Sequence, residues 1–494
     1  MNMSELLLEI GTEEIPSGYL ARGLADLKEL SESCLAENRI EYSGGVFVYG
    51  TPRRLILVAK GVAEFQKDTE EEITGPPVKV AFDGNGNPTK AAAGFAERQG
   101  AAVEDLGRIE TPRGEYLFIR RTIPGRPTID VLAENLPQLI ASIPWPKSMR
   151  WGAVSTAFVR PVHWITALLG GEVIPFEAAG VISGASTRGH RFMAPESVEV
   201  RSVEEYMNAM ERAFVVVDPE ERRWIIADMV RKAASAAGGV PAKDPELLAT
   251  VANLVETPSA VCGTFDSAFL SLPEPVLVTA MKEHQRYFSI HDASGSLLPC
   301  FVAVNNTRAR DDAVVRRGHE RVLRARLADA VFFFEEDRSR PLSERLEDLR
   351  GVIFHADLGT SHAKVQRFTE LAAELAQVVE PGSVERAVQV ANLCKCDLVT
   401  QIVGEFPSLQ GVMGACYAGL EGYDREICTA ISEHYLPARA GDRVPSSNLA
   451  AIVGVADRMD SIVGYFSVGL EPSGNADPFA LRRHALAIDR KSVV

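Results

Sequence analysis

The sequence has 494 residues, of which 46% are hydrophobic and 24% charged, a composition typical of a globular protein with about three domains. Acidic residues outnumber basic residues by 67 to 52, so any nucleic-acid-binding surface must be a local basic face on an acidic body. No run approaches about 18 uncharged apolar residues, which excludes a membrane span. The seven cysteines lack zinc-finger spacing and favour a reducing compartment over a disulfide framework.

The start of the chain predicts a small α+β unit. Residues 4–10 alternate, with leucine and isoleucine on one face, which indicates a strand. A helix opens after Pro16, and the apolar runs at 46–49 and 55–58 predict two short strands. Neither the glycine fingerprint of a dinucleotide-binding fold nor a phosphate-binding loop occurs, so the unit is not a Rossmann half.

The pattern changes along the chain from mixed α/β to helical. Hairpins are predicted at 111–123 and 287–304, and the segment up to about residue 218 is rich in strand patterns. Further helices are predicted at 219–237, 244–256, 317–336, 361–379, 384–403, 424–435 and 448–466. We therefore predict an α+β body at 1–340, with mixed or antiparallel sheets in two or more subdomains, followed by an all-helical domain at 345–494.

A basic helix is the first candidate for contact with RNA. Residues 308–326 contain seven arginines against three acidic residues. Arg317, Arg321 and Arg324 follow one another at helical spacing beside an apolar stripe. Such a row can track phosphates, because guanidinium groups bind phosphate with two hydrogen bonds. The alternative is an ordinary solvated helix face with local ion pairs.

A second basic segment lies at 145–193 and contains five basic residues against two acidic ones. Its basic residues are Lys147, Arg150, Arg160, Arg188 and Arg191. Trp145, Trp151 and Trp164 are interleaved with them, an arrangement that suits stacking on unpaired bases. Tryptophans also anchor cores, and for any single one of these three a core position is the more common outcome.

The helical region also invites comparison with HD phosphohydrolases, which hold a divalent metal through histidine and aspartate ligands. His434 and Asp457 lie there, but no adjacent His-Asp pair occurs anywhere in the sequence. At the expected position the chain reads Cys394-Lys395, and a lysine repels a metal ion. The residues thus predict a degenerate HD-like domain without a metal, and no catalytic constellation is evident elsewhere. A metal-dependent phosphohydrolase acting on a nucleotide or RNA is kept as the alternative function.

Nine motifs in order along the chain identify a family. Six of them are LLLEIGTEEIPSGYL at 6–20, YGTPRRLILV at 49–58, PWPKSMRWG at 144–152, STRGHRF at 186–192, HQRYF at 284–288 and NADPFALRRHALAI at 475–488. The chain resembles the beta subunit of the bacterial α2β2 glycyl-tRNA synthetase. The resemblance implies a ligase subunit that binds tRNA(Gly) and supports glycine attachment, while ATP and Mg²⁺ are used by the alpha subunit. It implies no catalytic residue, cofactor or metal on this chain.

Two further expectations follow from the ends of the sequence. Family members continue beyond this point into a helical anticodon-binding domain, which we expect to be absent here because residues 489–494 do not resemble that continuation. The N-terminus has no basic segment or cleavage site of a signal peptide, so we expect a cytoplasmic protein. A stand-alone RNA-binding protein without a ligase partner is the third candidate function.

Overall fold

The structure is a computed structural model that describes residues 3–84, 86–439, 441–473 and 477–492. Asn475 and Ala476 of the last motif, and Val493 and Val494 at the C-terminus, lie outside the described residues. The strands are β1 (Met3–Thr12), β2 (Val46–Thr51), β3 (Arg54–Ala63), β4 (Thr69–Pro77), β5 (Gly107–Thr111), β6 (Gly114–Ile123), β7 (Val162–Leu169), β8 (Glu172–Val173), β9 (Glu177–Ala178), β10 (Val181–Gly184), β11 (Ser186–Arg188), β12 (Ser197–Glu199), β13 (Val240–Pro241), β14 (Ser259–Thr264), β15 (Phe288–His291), β16 (Leu297–Asn305), β17 (Ile353–His355) and β18 (Gly359–Thr360).

The helices alternate with these strands at first and then replace them. They are α1 (Ser17–Glu37), α2 (Val78–Ala81), α3 (Lys90–Gln99), α4 (Thr128–Ser142), α5 (Val203–Arg212), α6 (Pro219–Ala236), α7 (Pro245–Ala252), α8 (Glu274–Thr279), α9 (Asp312–Arg338), α10 (Ser361–Val379), α11 (Val384–Leu393), α12 (Gln401–Glu405), α13 (Val412–Leu420), α14 (Arg425–Glu433), α15 (Asn448–Ser467) and α16 (Leu481–Ser492). None of the described helices is both long and apolar enough to cross a membrane.

The chain divides into two compact units. The first contains residues 1–227, 248–259 and 305–308, and the second contains the remainder. The boundary that the sequence placed at 340–350 falls inside the second unit. Its hydrophobic core runs from Val261 to Ala456 and includes residues on both sides of that boundary.

The first unit is built on a seven-stranded mixed sheet. Its strands follow the order β2-β3-β1-β7-β10-β9, and β8 pairs with β7. β1 is antiparallel to both β3 and β7, whereas β10 runs parallel to β7. A separate antiparallel sheet, β4-β6-β5, packs with α3, whose first turn is capped by the side chain of Thr89.

Both faces of the large sheet are covered, which differs from the one-sided strand that alternation predicted for residues 4–10. Leu6, Leu8 and Ile10 pack with α1 and α4, while Leu7 on the other face packs with α5. The strand is therefore buried along most of its length, including the carboxylate of Glu9. α4 and α5 lie in the segment that the sequence pattern assigned to strands; Pro137 within α4 interrupts the usual helix signal.

The second unit combines a four-stranded sheet, β13-β15-β16-β14, with α9 and the helices that follow. The part at 345–494 is mainly helical, but the expectation of an all-helical segment is corrected by the small antiparallel pair β17–β18. The single helix expected at 384–403 is also broken. α11 ends at Leu393, and α12 begins only after Thr400, whose hydroxyl accepts a hydrogen bond from the Val403 amide.

α9 separates the unit's core from solvent along its length. Leu323, Leu327, Ala330 and Phe334 are buried on one side, as the helical period predicted, while Val322 is 43% exposed on another. Asp311 caps the start of the helix by accepting a hydrogen bond from the Ala313 amide at 2.8 Å.

We predict that Leu327→Ala destabilises the second unit by about 2–5 kcal/mol, because it removes a fully buried side chain and leaves a cavity. Denaturant unfolding followed by far-UV circular dichroism measures the change. Val322→Ala, on the same helix, should shift the midpoint little, and equal effects of the two substitutions would contradict the assigned orientation of α9.

Candidate nucleic-acid interface

The arginine row of α9 faces away from the core. Arg317, Arg321 and Arg324 are exposed, and none of them has a hydrogen bond or ion pair with any residue in the described part of the chain. They span about 10 Å along the helix axis. Arg316 and Arg326, on the same helix, differ because each has a carboxylate partner: Glu320 at 3.9 Å and Glu405 at 3.2 Å. The free row thus presents guanidinium groups with their donors unused.

The five basic residues of the second candidate segment differ in how far they are engaged. Lys147, Arg150 and Arg188 are exposed, although the Arg150 Nε donates to the Ser155 carbonyl at 3.1 Å. Arg160 is half-buried and donates from Nη1 to the Val159 carbonyl. These residues do not form one continuous row such as that on α9.

Arg191 is the most engaged of the five. Its guanidinium donates to Glu13 at 2.7 Å and to Glu14 at 2.8 Å, and the hydrogen bond and charge of Glu13 raise the pKa of the arginine despite its partial burial. His163 contacts the same Glu13 at 3.1 Å. Arg191 therefore holds the acidic turn after β1, and it would have to exchange these partners to reach a phosphate.

The tryptophans of this segment are mostly core residues. Trp145 packs edge-on against Phe158 with ring centroids 5.4 Å apart, and Trp151 is half-buried against the same core. Trp164 is 6% exposed and donates its indole N–H to Glu9 at 3.0 Å. Of the aromatic side chains in the segment, Phe192 remains open to solvent, at 74% exposure.

The motif around Gly11 is structural in origin. A Cβ atom on Gly11 would lie 1.9 Å from the Trp164 ring, so no other residue fits without displacing the tryptophan. The ring in turn supports the guanidinium of Arg188, which lies 5.5 Å from its centroid. The absence of a side chain at Gly11 thus leaves room for the ring that supports a basic side chain at the surface.

A fully buried ionic cluster lies behind this surface. Glu9 accepts hydrogen bonds from four donors at 2.9–3.0 Å: Arg54 Nη1, Trp164 Nε1, Thr166 Oγ1 and Tyr206 Oη. Arg54 also contacts Glu256 at 3.0 Å. Burial opposes its charge, yet the two carboxylates raise the pKa of Arg54 above its usual value. Arg54 Nη2 and Glu256 Oε2 have no hydrogen-bond partner among the described residues, but the cluster is fully buried and is therefore not a surface for a ligand.

A second buried cluster lies at the positions that the sequence comparison matched to the metal ligands of HD phosphohydrolases, where we predict no metal. The Lys395 Nζ lies 2.9 Å from His434 Nε2 and 2.8 Å from Asp457 Oδ2. The Lys364 Nζ reaches the other oxygen of Asp457 at 2.8 Å. Burial disfavours the charged carboxylate, but Lys364 and Lys395 together hold the pKa of Asp457 well below its usual value.

The donor set of this cluster does not fit a divalent metal. A lysine ammonium group bridges the histidine and the aspartate that would be its ligands, and its positive charge repels a cation. No group of three or more histidine, cysteine or acidic side chains with metal-binding geometry occurs among the described residues. The sequence motifs did not point to Lys364. The feature of the sequence that could have indicated Lys364 is its place on the same helical face as the buried Val365 and Phe368.

Asp397 lies next to this cluster and carries the opposite pKa shift. Burial raises the pKa of its carboxyl to about 6, although the backbone amides of Gly411 and Gly414 donate to Oδ2 at 2.5 and 2.9 Å. Its Oδ1 is buried and has no hydrogen bond to a described residue. The charged form of Asp397 is therefore only partly compensated.

Comparisons with known proteins agree over nearly the whole chain. The sequence matches the family of glycyl-tRNA synthetase beta subunits over residues 6–493. The glycine–tRNA ligase beta subunits of Syntrophus aciditrophicus and Syntrophotalea carbinolica are 51% and 52% identical to it over 485 residues, which cover 98% of this chain and 70% of each relative. A solved structure described as a predicted HD superfamily hydrolase, from an uncultured Thermotogales bacterium, is 21% identical. It covers 31% of this chain and 85% of its own, with a TM-score of 0.21.

We predict that Asp397 makes the protein less stable as pH rises. Its pKa of about 6 in the folded state exceeds the value of about 3.9 for an unfolded aspartate, so the folded state holds the proton more tightly. Stability is then lost between about pH 4 and pH 6, by an amount on the order of 2–3 kcal/mol.

Denaturant melts of the wild type and of Asp397→Asn across that pH range test this prediction. As pH rises, the unfolding free energy of the wild type should fall relative to that of the Asn variant. The difference should then level off above about pH 6. A difference that is constant with pH would show that the pKa of Asp397 is the same in the folded and unfolded states, and would contradict the prediction.

Proposed function

The chain belongs to the glycyl-tRNA synthetase beta subunit family, and from that premise we propose that it acts as the beta subunit of a glycine–tRNA ligase. In this role it binds tRNA(Gly) and supports the ATP-dependent attachment of glycine. We further propose that glycine activation takes place on a separate alpha subunit, which uses ATP and Mg²⁺. The proposed assembly is an α2β2 heterotetramer in the cytoplasm.

The arginine row of α9 is the observation that carries the proposed binding of RNA. Arg317, Arg321 and Arg324 are exposed, lie on one face and have no carboxylate partner within the described residues. Arg316 and Arg326 on the same helix differ from them, because each is paired with a carboxylate. A row of free guanidinium groups on an acidic protein concentrates positive potential at one surface.

We propose that the first unit makes a second contact with RNA, and that its five basic residues differ in how strongly they contribute. Lys147, Arg150 and Arg188 are exposed and can reach a phosphate without losing an ion pair. Arg160 and Arg191 are held by their own chain, so we propose for them a weaker or indirect part in binding.

We also propose that residues 345–494 form a degenerate HD-like domain. Support comes from Lys395, whose Nζ lies within 2.9 Å of both His434 and Asp457, in the sequence positions compared with the HD ligands. The alternative of a metal-dependent phosphohydrolase gains no support from this geometry, because the lysine supplies the charge that a metal would provide.

We predict that the chain alone does not catalyse glycine-dependent exchange between ATP and pyrophosphate. The proposed division of labour places adenylate formation on the alpha subunit, and the sequence has no phosphate-binding loop. Exchange and tRNA charging should be measured with the beta chain, an alpha chain, and both. Glycine-dependent exchange by the pure beta chain would refute the division of labour.

We predict that Arg317→Ala, Arg321→Ala and Arg324→Ala each weaken binding of tRNA mainly through charge. Each substitution should affect different tRNAs alike and reduce the slope of log affinity against log salt by about 0.7–0.9 for each phosphate that the variant no longer neutralises. Filter binding or fluorescence anisotropy over a salt series measures both quantities.

Arg316→Ala is the matched control for this series, because Arg316 lies on the same helix and already has Glu320 as a partner. Its effect on the salt slope should be smaller than that of its neighbour Arg317. If all three row variants leave slope and affinity unchanged, the row is a solvated face or a protein contact, and the proposed RNA surface on α9 is wrong.

A further inference from the structure

The second unit contains a cavity of about 590 Å³ beside the Lys395 cluster, at a size typical of small-molecule sites. Among the described residues, four cationic side chains line it: Lys364, Lys395, Arg458 and Arg483. Asp457 is the acidic side chain among these lining residues, so the described lining carries an excess of three positive charges. Asp460 and Arg367, which pair at 2.6 Å behind Lys364, leave this excess unchanged.

The buried cations of the cavity are fixed in place, so they attract an anion through their electrostatic field and not through direct hydrogen bonds. Lys364 contacts Asp457, Asp460 and Ser461 through Nζ, which occupies its donors. Arg458 donates to the carbonyl oxygens of residues 434, 435, 437 and 454. These groups lose little entropy when a ligand arrives, because packing and hydrogen bonds already hold them.

Other lining groups have donors to spare. The hydroxyls of Ser361 and Tyr435 and the guanidinium of Arg483 make no side-chain hydrogen bond with the residues that the structure describes. Burial raises the pKa of Tyr435 well above its usual value, so its hydroxyl keeps its proton. Burial, with the charge of Arg458, lowers the pKa of the lining His484 to about 4, which leaves that ring neutral at pH 7.

We propose that this cavity binds a terminal phosphate group, a phosphomonoester dianion. A dianion balances most of the excess of three positive charges. A phosphodiester carries one negative charge and leaves most of that excess unbalanced. Arg483 would supply a charge-assisted hydrogen bond, with the two hydroxyls as neutral donors. The same chemistry occurs in a free nucleoside monophosphate and at the 5′ end of an RNA. The site is independent of the proposed RNA surface on α9.

Isothermal titration calorimetry of the full chain with inorganic phosphate and with AMP tests the proposal. Arg483→Gln should weaken binding about tenfold, as expected when one charged hydrogen bond is removed. Arg482→Gln is the matched control, because Arg482 is the exposed neighbour on α16 that does not line the cavity, and it should change affinity less than about twofold. Tyr435→Phe, which keeps the ring beside Lys395, should also weaken binding.

Competition distinguishes the two sources of the phosphate. A short RNA with a 5′ phosphate that displaces AMP, while its 5′-hydroxyl counterpart does not, would support the site as one for an RNA end. Failure of both RNAs to displace bound AMP would support a free nucleotide. The proposal is overturned if neither phosphate nor AMP binds at about 10 mM, or if Arg482→Gln and Arg483→Gln weaken binding equally. Thermal melts of each variant check that the fold is intact.

Discussion

Carboxylates buried inside this protein have to be neutralised, because an ionised group removed from water without a partner costs far more than a fold can supply. Glu9 in the first unit and Asp457 in the second both meet this requirement with basic side chains from distant parts of the sequence. Arg54 and Glu256 join β3 to the segment near residue 256, and Lys364 joins α10 to α15. The positions of several elements in each unit thus depend on charge compensation.

This requirement divides the basic residues into two groups with different uses. Arg54, Lys364 and Lys395 are committed to buried acids, and removing any one of them leaves a charge that the interior cannot solvate. Arg317 and Arg321 on α9 have no such commitment among the residues that the structure describes. In a chain with a net charge of -15, a row of cations without acidic partners marks a surface that can attract an anion, and the committed cations around the cavity can retain one.

The sequence predicted those elements whose signal is local. The buried stripe of α9 and the hairpin after residue 287 follow from periodicity and turn chemistry, which act over a few residues. Two-sided burial of β1 could not be predicted from its own residues, because it depends on α5, almost two hundred residues later. α4 was not predicted, because Pro137 and the apolar residues around it obscure the helical period of the hydrophobic residues.

The same distinction holds for the candidate sites. The sequence indicates Lys395, because it stands where HD phosphohydrolases have their adjacent His-Asp pair. The structure shows that its partners are His434 and Asp457. Lys364 lies outside the quoted motifs, whereas Arg483 lies within the motif at 475–488. Neither position indicates a shared cavity, and the two residues meet there only because α10, α15 and α16 pack together. The two fixed ammonium groups of Lys364 and Lys395 make the pocket positive but do not act as the Lewis acid that metal-dependent hydrolysis uses. Such a pocket can retain a phosphate group without cleaving it, which agrees with the proposed placement of the chemistry on a separate alpha subunit.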